Sequence, residues 1–97
     1  KTDYPKHVRK YATVARNLGL QNFNIVTTVR ALSHWCQFMM KEMDMPLSIS
    51  ETGVCTESEY FARIPEMAKA ALDDTCTKTN PRVPSLKDIE ALYAQLW

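Results

Sequence analysis

The stretch NIVTTVRALSHWCQFMMKEM, residues 24–43, decides the fold. Ile25, Val29, Leu32, Cys36, Met39, Met40 and Met43 recur at spacings of three and four, the period of an amphipathic helix. Asn24 stands where a side-chain oxygen can cap the first turn, and Pro46 follows the last periodic residue. No other helix in the chain is expected to be as long. Ala31, Trp35 and Phe38 lie off the main stripe, so this helix is apolar on two sides. His34 falls among the more polar positions, near Arg30 and Lys41, and reads as a solvated or hydrogen-bonded histidine.

The same periodicity extends outward in both directions. Upstream, Asp3 can cap a helix whose first turn holds Pro5, whose face is Val8, Tyr11, Ala15 and Leu18, and which Gly19 stops. Downstream, MPLSISETGV (45–54) is a connector, and Thr56 with Glu59 forms a capping box. Phe61, Ile64, Ala68, Ala71 and Leu72 then share a face that runs through Pro65, which demands either a kink or a new helix start. Ser85 and Asp88 repeat the capping-box pattern ahead of a terminal helix bearing Leu86, Ile89, Leu92, Tyr93 and Leu96. Two glycines and no sustained alternation leave no room for strands, so the chain reads as an all-α helical bundle with four main helices.

Composition narrows the function classes. Ninety-seven residues make one modest domain, which buries only about 60 to 65 % of the surface its unfolded chain exposes. Twelve basic against eleven acidic side chains give a net charge of +1, too little for a nucleic-acid or anionic-membrane footprint. No apolar run approaches a bilayer span and no signal-peptide pattern opens the chain, so a cytoplasmic location is expected. Cys36, Cys55 and Cys76, spaced by 19 and 21 residues, match neither a disulfide framework nor a paired-thiol metal knuckle. They read as reduced thiols. His7 and His34 have no second ligand at helical or hairpin spacing, so no metal ligand is assigned. Lys1 is not an initiator methionine, and the chain reads as cut from something longer.

DDTCTKTNPR, residues 73–82, resists a purely helical account. Asp73 and Asp74 would end a helix at the negative pole of its dipole, where charge is mildly unfavourable, and Arg82 is the candidate to stabilise one of them. Asn80 precedes Pro81 and is pushed toward an extended conformation. One reading has Thr75, Thr77, Asn80 and Arg82 locking a loop; another has the loop wall a pocket that Cys76 faces. Cys76 has no nearby base and is a poor nucleophile at an ordinary thiol pKa of about 8.5, so lining is favoured over covalent catalysis.

LDDTCTKTNPR, the capped helix with DIEALYAQLW, the stretch YATVARNLGL, the MPLSI and TGV connector and ESEYFARIPEMAKAAL together resemble, in order, the C-terminal part of the iron-containing, group III alcohol dehydrogenases. The resemblance covers nearly all of the chain. It is nearest the lactaldehyde reductase and propanediol dehydrogenase branch, with the bifunctional aldehyde-alcohol dehydrogenases further off. Lys78 departs from the glycine usual there, a cost of about 1 kcal/mol or more if the position needs a positive φ.

The resemblance implies that residues 1–97 are the C-terminal portion of a dehydroquinate-synthase-like helical domain. The implied parent interconverts small alcohols and aldehydes by hydride transfer with NAD(P), at a divalent metal, often iron, held by one aspartate and three histidines. Those ligands and the dinucleotide-binding domain would lie upstream, so this fragment is assigned no catalytic, cofactor-binding or metal residue and is expected to be inactive alone. By analogy Cys76 lines the substrate pocket. The implied partners are the remainder of the parent subunit and, in a homo-oligomer, further copies, against which Trp35 and Phe38 would bury. The alternative is a stand-alone helical protein-interaction module.

Overall fold

The computed structural model describes residues 5–20 and 24–97. Asp3, the expected cap of the first helix, lies outside them. The chain forms two compact units, residues 1–47 and 48–97.

In the first unit α1 (Lys6–Asn17) packs on α2 (Ile25–Glu42). Pro5 sits at the N-cap of α1, one position before the first turn expected for it, and its carbonyl accepts from the amides of Val8 and Arg9 at 3.1 and 3.2 Å. Its fixed φ and missing N–H suit that boundary. At the other end Gly19, at φ 77°, closes a left-handed cap: its amide donates to the Arg16 carbonyl at 2.9 Å and that of Leu20 to Ala15 at 3.1 Å.

The buried face of α1 is Ala12 and Ala15, with Val8 half-buried, while Tyr11 and Leu18 of the expected stripe are exposed. The reason lies opposite, where Thr28 is the largest side chain with no exposed surface. Small side chains let the two helices approach closely, and the bulky ones turn to the rim. The Thr28 hydroxyl donates to the Asn24 carbonyl at 2.7 Å, so nothing polar is stranded by its burial. Asn24 caps α2 as expected, accepting from the Thr27 amide at 2.9 Å, with Thr27 reciprocating. By its rise α1 is about 18 Å long and α2 about 27 Å. α2 is thus the longer by about 9 Å, and toward its C-terminal end Cys36, Phe38, Met39 and Met43 are exposed.

In the second unit α3 (Glu57–Asp73) packs against α5 (Leu86–Gln95), with the single turn α4 (Thr75–Lys78) between them in sequence. Both expected capping boxes form: Thr56 and Glu59 open α3, Ser85 and Asp88 open α5. Pro65 neither ends α3 nor starts a new helix. Lacking an N–H, it leaves only the Phe61 carbonyl without its usual partner, on a residue exposed enough for water to serve.

Tyr60, Ile64, Ala68 and Ile89 form the buried centre. Tyr60, absent from the expected stripe, donates its hydroxyl to the Tyr93 carbonyl at 2.6 Å and packs its ring 5.2 Å from that of Trp97. The connector is also tied to the chain end, because the amides of Ile49 and Ser50 donate to the carbonyls of Leu96 and Trp97 at 2.8 and 3.0 Å. Among the described residues there is no strand, so the all-α expectation holds.

Candidate functional site around residues 73 to 92

Asp74 answers the question posed by two acids at a helix end. It is at once the last cap of α3 and the N-cap of α4, and its carboxylate accepts from the Cys76 amide at 2.7 Å. The expected dipole penalty is therefore reversed for Asp74, because a new helical turn presents its positive end there. Asp73 is the exposed final residue of α3.

The threonines finish the turn. Thr77 donates its hydroxyl at 2.5 Å to the Ala71 carbonyl, an acceptor in the last turn of α3 that the Asp74 amide also reaches, at 3.3 Å. The Thr79 hydroxyl donates to the Cys76 carbonyl at 2.8 Å, and the Asn80 side-chain amide to the Arg82 carbonyl. Lys78 lies inside α4 with helical backbone, so the strain that a glycine-preferring site would impose does not arise.

Arg82 does not pair with Asp73 or Asp74 as expected; its ion pair is with Asp88, at 3.5 Å. Asp88 is the capping-box acid of α5. The Ser85 backbone amide, then the Ser85 hydroxyl, hold its carboxyl below the ordinary range, and Arg82 adds to this. With the guanidinium side chain 81 % exposed, the ion pair itself is weak.

These groups wall an open cleft of about 360 Å³ lined by Asn80, Arg82, Pro84, Asp88, Ala91 and Leu92. A second, almost wholly apolar cleft of about 220 Å³ is lined by Ala71, Ile89, Leu92, Tyr93 and Leu96. Leu92 is common to both. The wide apolar stripe of α5 was the legible signal for the second, since it carries more apolar surface than one neighbouring helix covers. The part played by Pro84 and Ala91 left no trace in sequence. Of the residues singled out earlier, Asn80 and Arg82 meet in the first cleft, Asp74 and Cys76 meet in the α4 turn, and Asp73 joins neither group. The Cys76 thiol is free and exposed, and it lines neither cleft.

Among the described residues no three His, Cys, Asp or Glu side chains gather closely enough to hold a metal ion. His7 is half-buried on α1 and His34 exposed on α2. The donors present do not fit the Asp and His set that the resemblance implies, and no step through a metal is derived. None of the described helices is long and apolar enough to cross a membrane.

The family model described as "Fe-containing alcohol dehydrogenase family, C-terminal" matches residues 1–97. The chain is 32 % identical over 92 residues to the bifunctional aldehyde-alcohol dehydrogenase AdhE of Escherichia coli K12, covering 93 % of this chain and 10 % of that protein. It is 32 % identical over 90 residues to the lactaldehyde reductase of the same organism, covering 91 % and 22 %. With the 1-propanol dehydrogenase PduQ of Salmonella typhimurium LT2 it shares 29 % over 94 residues, covering 95 % and 25 %. The chain thus spans between a tenth and a quarter of the length of these relatives.

Proposed function

Because this chain belongs to the iron-containing alcohol dehydrogenase family, whose C-terminal region it matches from end to end, we propose that it serves as the helical support of a larger oxidoreductase. In this reading the whole enzyme interconverts small alcohols and aldehydes with NAD(P), at a divalent metal held by residues outside these 97. The present helices back that site and close one side of its cleft. The observation that carries the proposal is the unbroken family match over residues 1–97. The unpartnered apolar surface supports it: Phe38 at 60 % exposure on α2, and Leu92 and Leu96 on α5, are suited to burial against further protein of the same subunit or a second copy.

Within that arrangement Cys76 borders the substrate. Its thiol is exposed on a turn that Asp74 and Thr77 fix from both sides, so it can face a ligand without rearrangement. It contributes shape and a weak donor, not a nucleophile.

The test compares the 97-residue chain with the continuous full-length polypeptide. The isolated chain is expected to show no NAD(P)H-dependent aldehyde reduction, and the full-length enzyme to show it. Turnover by the isolated chain overturns the supportive role. Alkylation of Cys76 in the full-length enzyme should slow when a small alcohol is present; an unaltered rate removes Cys76 from the pocket.

A further inference from the structure

The net charge of +1 is unevenly distributed along the chain. Residues 1–47 carry seven basic and three acidic side chains, residues 48–97 five basic and eight acidic ones. In the first unit the excess concentrates on α1, which holds Lys6, Arg9, Lys10 and Arg16 and no acid. All four are exposed.

That pattern works against the helix carrying it. Cations near a helix N-terminus oppose its dipole, and α1 has no acid in its first turn to offset Lys6 and Arg9. Lys6 and Lys10 stand at i and i+4, so they also repel one another along one face. The stability of α1 does not account for these charges; an anionic surface outside the helix does. Beside them, Val14 follows Lys10 by about 40° around the axis, with Leu18 and Tyr11 about 40° and 60° beyond Val14. These three apolar side chains are 46 to 52 % exposed. The outer side of α1 is thus a basic strip bordered by large apolar groups.

The second unit holds the complement. Glu59, Glu66 and Asp73 recur at intervals of seven on α3, drifting about 20° per step, and form an exposed acidic line about 21 Å long. The basic strip from Lys6 to Arg16 spans about 15 Å. Ala62 and Ala70, also exposed, lie about 40° to either side of Glu66, so shallow surface borders the acids where large side chains can settle. Glu66 pairs with Arg63 at 2.9 Å, but on an open surface such a pair is weak enough to exchange.

We infer that α1 of one copy of this protein docks on the outer face of α3 of another, Lys6 and Lys10 meeting Glu66 and Asp73 while Tyr11, Val14 and Leu18 cover Ala62 and Ala70. A second copy is the occupant because one chain supplies both charge patterns, in matching lengths and with large side chains opposite small ones. One helix pair buries less than a standard interface, so the contact is weak and sensitive to salt. It uses neither Phe38 nor the α5 leucines and does not depend on the dehydrogenase reading.

The experiment is sedimentation of the continuous full-length polypeptide at about 0.05 M and about 0.5 M salt, which lengthen and shorten the screening distance. A larger species should form at low salt and dissociate at high salt. Lys6→Glu with Lys10→Glu, or Glu66→Lys with Asp73→Lys, should each weaken that association at least tenfold at unchanged helical circular dichroism. Helicity should survive, since Glu at position 6 and Lys at position 73 suit the helix ends they occupy. The two variants produced together in one cell should regain the larger species, as should one chain bearing all four changes. Should either pair of changes reduce helicity, Lys10→Glu and Asp73→Lys singly are each expected to weaken association several-fold. Absence of a salt-sensitive species, or association lost with the lysine changes alone, would overturn the contact. Recovery in the four-change chain but not in the co-produced pair would overturn it too, since that places the pairing within a single chain.

Discussion

Two residues adopt the same backbone state with opposite aptitude for it. Gly19 at φ 77° and Asp44 at φ 54° both follow a helix and close left-handed caps; the Asp44 amide donates to Lys41 at 3.1 Å and that of Met45 to Met40 at 2.9 Å. The left-handed region costs an ordinary L-residue roughly 1–2 kcal/mol, less for aspartate, and glycine nothing steric. Asp44→Gly should therefore raise stability by a few tenths to about 1 kcal/mol, and Gly19→Ala should lower it by about 1 kcal/mol, read from urea unfolding followed by circular dichroism. Gly19 as a helix stop was readable from its identity and position. Asp44 was not, because aspartate is equally at home at caps and turns, and only the paired hydrogen bonds reveal its role. Asp74 teaches the same lesson: the one-turn helix α4 that makes it a cap has too few residues to show a period.

At the scale of the element, the caps were the best-written feature, since Thr56 with Glu59 and Ser85 with Asp88 obey a local rule that needs no tertiary knowledge. Glu59 is held below the ordinary carboxylate range first by the Thr56 backbone amide and then by its hydroxyl, as Asp88 is by Ser85. Both carboxyls thus have depressed folded-state pKa values. Their contribution is present above the ordinary carboxylate range and is lost as pH falls through the folded values, so acid should loosen the first turns of α3 and α5. Amide exchange at Glu59 and Asp88, corrected for intrinsic rates, should lose protection on acidification, and far less so in Glu59→Gln and Asp88→Asn variants. The faces of the helices were harder to read than their ends. On α1 the periodic Tyr11 and Leu18 pointed to one stripe, yet the contact forms on Ala12 and Ala15, because close approach of two backbones favours the smallest side chains over the most apolar. Ala12→Leu should accordingly destabilise the first unit by about 1–3 kcal/mol through overpacking, measured by thermal unfolding.

For the molecule as a whole, the all-helical class and the family were legible, and the depth of the core was not. The fully buried side chains are small, Ala12, Ala15, Thr28 and Ala68, while many large apolar side chains remain exposed, from Val54 at 77 % to Val26 at 37 %. Which members of a stripe are covered depends on the length and tilt of the opposing helix, a property of pairs that one sequence segment does not carry. A surface of this kind should bind a hydrophobic dye or self-associate; a dye-silent monomer in sedimentation would count against burial of these side chains in a larger enzyme. The hydrogen bonds from Ile49 and Ser50 to Leu96 and Trp97 carry a final implication, since they fasten the start of the second unit to its finish. Removing Trp97 from the 97-residue chain would unbutton a turn nearly fifty positions earlier in the polypeptide, and Ser50 should be the first amide to report the loss.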